Sequence, residues 1–132
     1  MWNNARLVRL CLLALAFILT ACAPLTPPVS EPPAEISRNA AVLELVQRAE
    51  EETASGRLEQ AAGWLERALR VEPQNPWLWY LLAENRYRDG RYDEAEGLAE
   101  KSLSLTGDEP TLASQNRALI TQARAARGSV GP

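Results

Sequence analysis

Carboxylates are almost the only reactive material in this chain of 132 residues, which has no histidine and two cysteines, Cys11 and Cys22. Two acidic runs stand out, Glu50-Glu51-Glu52 and Asp93-Glu94 followed by Glu96. A pair of carboxylates flanking a glycosidic bond can hydrolyse it, so cell-wall hydrolysis is the catalytic alternative these runs keep open. Neighbouring residues on a helix point to different faces, however, and Asp93 and Glu94 sit where acids favour a helix's first turn. The runs therefore read as solvated charge and the chain as a non-enzyme. It has no glycine-rich phosphate loop and no spaced set of metal ligands, so neither a cofactor nor a metal is expected. A net charge of −3, with no cluster of Lys and Arg, argues against nucleic acid.

Cys22 is the residue with a specific modification chemistry. It closes the tetrad Leu19-Thr20-Ala21-Cys22, at the end of an uninterrupted apolar run from Leu10 that follows Arg6 and Arg9. Positive charge, a short apolar stretch and small residues, in that order, form an export signal. The run is shorter than the roughly 20 residues a membrane span needs, and Pro24, Pro27 and Pro28 prevent its extension. Ending in cysteine, the signal resembles the lipobox of bacterial lipoproteins. The resemblance implies cleavage between Ala21 and Cys22, a diacylglycerol thioether (and so palmitate-type acyl chains) on Cys22, and a membrane anchor of more than one chain. Ala23 stands where aspartate would resemble an inner-membrane retention signal in enteric bacteria, so the outer membrane, facing the periplasm, is expected, with the inner membrane as the alternative. Loss of Arg6 and Arg9 leaves a mature chain with twelve basic and seventeen acidic residues.

Residues 22–37, rich in proline, form an extended linker behind the signal of residues 1–21. A helical domain follows over residues 38–128, with a short flexible tail at 129–132. Within the domain Gly56 and Gly90 stand 34 residues apart, each followed by a similar pentad, Arg57-Leu58-Glu59-Gln60-Ala61 and Arg91-Tyr92-Asp93-Glu94-Ala95. An amphipathic stretch precedes each glycine: Leu43, Leu45, Val46 and Ala49 in one copy, Trp79, Leu82 and Ala83 in the other. Another follows each, with Ala61, Leu65, Ala68 and Leu69 or Ala95, Ala99 and Leu103 as its buried stripe. Ser37, Asn75 and Asp108 are the expected helix caps, Pro76 a first-turn proline, and Pro73 the end of the first pair. A third start is expected at Arg117–Arg124, aligned with Trp79–Arg86 at a spacing of 38, with Gly128 matching Gly90 and four residues added near Gly107.

A helix-turn-helix unit with this period resembles the tetratricopeptide repeat (TPR). The matching residues include Trp79, Leu82, Ala83, Gly90, Tyr92 and Ala95 in the second unit, and Gly56, Ala61, Leu65, Ala68 and Pro73 in the first. Arg86 departs from the tyrosine common at its place. The resemblance implies an all-α short solenoid: two repeats and a C-terminal capping helix. It also implies peptide binding on the face lined by the first helix of each unit. On that face Trp77, Tyr80, Glu84 and Tyr87 recur at three- and four-residue steps, an anchor for an apolar or basic peptide, with Glu50 and Arg88 beside them. Trp77 and Tyr80 packing on the neighbouring unit is the competing reading. Positions that hold a terminal carboxylate in one subclass carry Val46, Glu50, Leu81, Gln115 and Leu119, none of them basic, so a chaperone-tail clamp is not expected. Trp64 and Leu98, one period apart, either pack on neighbouring helices or form a dimer contact. The function expected is a membrane-anchored scaffold or adaptor lipoprotein for envelope proteins or peptides, in a pilotin-like role or beside peptidoglycan enzymes. A self-associating structural lipoprotein is the alternative, and a homo-oligomer remains possible.

Overall fold

The computed structural model describes residues 36–129, so Ala21, Cys22 and the linker up to Glu35 lie outside the described residues. Those described fold as five helices: α1 (Ala40–Ala54), α2 (Leu58–Val71), α3 (Pro76–Arg88), α4 (Tyr92–Leu105) and α5 (Pro110–Ser129). Each packs on the next in the chain, and α3 also packs on α5.

The repeat is reproduced down to individual backbone bonds. After α1, Gly56 N–H donates to Thr53 O (3.0 Å) and Arg57 N–H to Glu52 O (2.9 Å). After α3, Gly90 N–H donates to Tyr87 O (3.1 Å) and Arg91 N–H to Arg86 O (2.9 Å). These bonds satisfy the last carbonyls of each helix and require a left-handed residue, supplied by Gly56 at φ 73° and Gly90 at φ 77°. Asn75 caps α3 by accepting from Trp77 N–H (3.0 Å), with Pro76 in the first turn.

Two expected caps fall elsewhere. Asn39, not Ser37, caps α1 by accepting from Ala41 N–H; the Ser37 hydroxyl instead donates to Glu72 (2.6 Å) and accepts from Asn39 N–H. At α5 the Glu109 carboxylate, not Asp108, accepts from Thr111 N–H. Pro110 fixes this boundary, just as Pro76 does 34 residues earlier.

That proline also overturns the expected spacing of 38. The 34-residue period runs on without insertion: Leu78 and Leu112, one period apart, are both fully buried. Arg117–Arg124 is therefore the middle of α5 rather than its start. Gly128 lies inside the helix, which continues through the place where Gly90 broke α3. The likeness of Arg117–Arg124 to Trp79–Arg86 misled because Leu and Ala recur at helical spacing in either register.

Small residues set the helix spacing. Ala61, Ala62, Ala68, Ala83, Ala95 and Ala99 are at most 1% exposed, so neighbouring backbones approach closely. On α1 the buried stripe is Val42, Val46 and Ala49; Leu43, expected there, lies off that face and is 42% exposed. Trp64 and Leu98 are partly buried against the core, and Arg48 and Arg67 stand over the Trp64 ring at 5.0 and 4.4 Å. Leu103 is half-buried, and the enclosed position beside it is Ser102.

Polar side chains lock helix ends. Ser102 Oγ donates to Pro76 O (2.8 Å) and accepts from Asn116 Nδ2 (2.9 Å), joining α3, α4 and α5 through the wholly buried Ser102 and Asn116. Ile36 is buried in the first cluster, and its carbonyl accepts from Asn75 Nδ2 (2.5 Å). The segment entering α1 is thereby fixed at the turn between the two units. Arg86, on α3, reaches Glu59 (2.6 Å) and Glu66 (3.2 Å) on α2 and Glu94 (3.6 Å) on α4, with its side chain only 7% exposed.

Candidate functional site

The two flanks of α3 are filled differently, and a cleft results. Toward α5, Tyr80 and Tyr87 pack on a cluster that includes Ala99, Leu119 and Ile120, and the Tyr87 ring lies 5.4 Å from that of Tyr92. Toward α1 the facing side chains include three small ones, Ala49, Thr53 and Ala54, beside Val46 and Glu50, and a cleft of about 340 Å³ is left. Val46, Leu65 and Leu81 give it an apolar lining.

Three of the expected partner-binding residues, Glu50, Glu84 and Arg88, converge on this cleft. They do so because each lies on the face that its helix, α1 or α3, turns toward the other. The aromatic part of the expected stripe does not line it. Trp77 is half-buried against the first core cluster and meets Tyr80 edge to face at 6.2 Å, while Tyr80 and Tyr87 serve the second cluster. The single exposed aromatic surface expected from spacing is thus divided between two packing jobs. Of the residues at the carboxylate-holding positions, Val46, Glu50 and Leu81 line the cleft, Gln115 is half-buried and Leu119 is buried.

The charges are unevenly matched. Burial pushes the Glu50 carboxyl above the usual carboxylate range, and Glu50 has no ion pair or side-chain hydrogen bond among the described residues. The Tyr80 phenol is pushed up to about 12, first by burial and then by the charge and hydrogen bond of Glu84. Arg88 is exposed and makes no ion pair among the described residues. Two carboxylates, Glu50 and Glu84, therefore share the cleft with one guanidinium on an apolar bed. The acidic runs considered for hydrolysis are dispersed: Glu96 pairs with Arg124 (2.6 Å) and Arg127 (3.0 Å), Asp93 with Arg127 (2.6 Å), and Glu52 with Arg57. Among the described residues no group of acids or cysteines could hold a metal ion, and no helix is long and apolar enough to cross a membrane.

Asn85 is the cleft residue that sequence reasoning missed. It is 3% exposed, and neither its Oδ1 nor its Nδ2 has a hydrogen-bond partner. In sequence it is one more polar residue between Glu84 and Arg86, and no periodicity distinguishes it. Arg86 did carry a signal, its departure from the tyrosine common at that place in the repeat.

Comparison with known proteins agrees with this architecture. The tetratricopeptide repeat family matches residues 52–115, from the end of α1 into α5. The globular C-terminal domain of P. aeruginosa LpoP is 36% identical and superposes with a TM-score of 0.68, over 70% of this chain and 87% of that one. The second TPR domain of Spaghetti (RPAP3), solved with the HSP90 peptide SRMEEVD, superposes with a TM-score of 0.60 over 69% of this chain and 81% of that one. At 21% identity this second likeness concerns the fold alone. No curated protein matches the chain in sequence. With two glycine-turned helix pairs, a capping helix on the same period and a relative that is 36% identical and covers 70% of it, the chain belongs to the tetratricopeptide repeat family.

Proposed function

We propose that the chain is a lipid-anchored, non-catalytic adaptor of the bacterial envelope that holds a protein or peptide partner in the cleft between α1 and α3. The observation supporting this reading most directly is the cleft itself: an open apolar hollow between the first helices of two TPR units, edged by Glu50, Glu84 and Arg88. Trp77, Tyr80 and Tyr87, half-buried on the same helix, extend the contact as its aromatic margin. The lipobox-like tetrad supplies the anchor, with cleavage after Ala21 and acylation of Cys22 at the periplasmic face of the outer membrane. LpoP's related part is likewise a globular C-terminal domain, the place the TPR module takes here behind signal and linker.

Tethering makes a modest groove sufficient. A binder confined to a membrane shell meets neighbouring partners at a high effective concentration, so micromolar intrinsic affinity supports a stable association. An accessory role beside peptidoglycan synthases or hydrolases, or a pilotin-like role in outer-membrane assembly, fits this mechanism.

The test is a crosslinking pull-down of the full chain from cells, comparing wild type with Trp77→Ala/Tyr80→Ala, with Glu84→Ala/Arg88→Ala and with Cys22→Ser. Wild type should capture envelope proteins, the groove variants should lose them, and Cys22→Ser should leave the membrane fraction. Capture of this chain alone by wild type would sink the adaptor reading in favour of self-association.

A further inference from the structure

An unpaired buried carboxamide is a standing cost to a fold. Leaving a buried donor or acceptor unsatisfied destabilises a protein, and Asn85 leaves both of its polar atoms so. A leucine of similar size would remove the cost, and apolar residues already occupy the neighbouring cleft positions Val46, Leu65 and Leu81. Departures of this kind from what a helix core favours belong to functional positions. Asn116, the other buried asparagine, differs in degree: its Oδ1 also lacks a partner, but its Nδ2 bonds Ser102 and the Leu112 carbonyl, whereas Asn85 has neither group paired.

A carboxamide offers one donor and one acceptor group side by side, which matches the N–H and C=O of a peptide unit in extended chain. In the free domain the Asn85 polar atoms are covered, so pairing requires a side chain of the cleft to move. Arg88, one helical turn away, exposed and without an ion pair among the described residues, can move at small cost. Beside Asn85, neither Glu50 nor Glu84 makes an ion pair among the described residues, and the one guanidinium of the cleft, Arg88, is shared between them. An incoming Lys or Arg would give Glu50 a partner in a partly desolvated setting. An acidic segment would meet two carboxylates.

We propose that Asn85 is the ligand-pairing residue of the cleft, taking the backbone of an extended polypeptide segment whose Lys or Arg side chain lies against Glu50 and Glu84. This rests on the adaptor reading and specifies the chemistry of its partner: a basic segment of another protein, rather than an acidic tail.

A random heptapeptide display library panned against the full chain tests it, with Asn85→Leu, Glu50→Gln and thermal melts run in parallel. The expected result is enrichment of peptides with a central Lys or Arg. Their affinity should fall about tenfold or more in Asn85→Leu, the loss of one good hydrogen-bonded pair, although that variant melts higher than wild type. Glu50→Gln should abolish the preference for Lys and Arg over Gln at the central place. Selected peptides that bind Asn85→Leu as tightly as wild type would overturn the role of Asn85 while leaving the adaptor reading intact. Enrichment of acidic peptides would overturn the basic-partner claim, and no enrichment on wild type would overturn this proposal and the adaptor reading together.

Discussion

Tyr80 and Glu50 are acids of different kinds whose surroundings both oppose ionisation, and the two can be separated by pH. A phenol in the unfolded chain ionises near 10, but in the folded domain Tyr80 does so at about 12. Its raised value means that the associated stability is fully present below pH 10 and is lost as pH rises toward 12. The shift would correspond to more than 2 kcal/mol for an enclosed group; discounted for the half-exposed ring, about 1 kcal/mol is expected. Melting temperature followed from pH 9 to 12 should fall more steeply for wild type than for Tyr80→Phe, and parallel curves would refute the assignment. For Glu50, whose value is raised by burial, the penalty appears as pH climbs through the carboxylate range and persists at neutrality. Glu50→Gln should therefore melt higher than wild type at pH 7 and equally at pH 3. The cleft's main charged residue would then stabilise the fold when neutralised, as expected where binding, not packing, selects a side chain.

At the scale of the element, Arg86 joins three helices, and its removal separates packing from charge. Its stem is buried while Glu59, Glu66 and Glu94 remain largely exposed, so most of its contribution comes from the stem. Arg86→Ala should cost about 2 kcal/mol in urea unfolding and Arg86→Met clearly less. The Arg86 guanidinium, by hydrogen bond and charge, holds the Glu59 carboxyl below its usual range. That contribution is present above pH 4.5 and lost as pH falls, so Arg86→Met should show weaker acid sensitivity than wild type. Equal losses in both variants at neutral pH would make the ion pairs, not the stem, the main effect. What the sequence revealed follows the same division between local and tertiary causes. Gly56, Gly90, Asn75 and Pro76 act on adjacent backbone, and the helix-turn-helix units they delimit were legible. So were Glu50, Glu84 and Arg88, polar residues on faces fixed by helical spacing. The packing of Tyr80 and Tyr87 against the second cluster was not legible, because much of that environment is made by α5, whose register was obscured by repeated Leu and Ala. Asn85 was invisible for a related reason, since a missing hydrogen-bond partner is a property of the fold and not of any local pattern.

For the whole molecule, α5 decides whether the second unit holds at all. The first unit is covered by α3 and by Ile36, which packs in the same cluster, whereas the second depends on α5 for the cover of α4 and for the wall behind Tyr80 and Tyr87. Leu112, Leu119 and Ile120 are all buried, and at about 2 kcal/mol each their removal approaches the total stability of a small domain, roughly 5–15 kcal/mol. Loss of α5 would also strip Asn116 from Ser102, opening the polar link to the start of α3. A chain ended after Gly107 should therefore lose hydrogen-exchange protection first in α4 and then in α3. The freed face, with Ala99, Leu98 and Leu103, should drive concentration-dependent association visible in light scattering. The cleft between α1 and α3 would suffer with it, because α3 is one of its walls, so peptide binding should vanish although no cleft residue has been changed. A truncated chain that stays monomeric, with α4 protected as in the intact molecule, would show that two helix pairs suffice. In that case the length of α5, carried past the position where α3 ends, would need a cause other than covering the second unit.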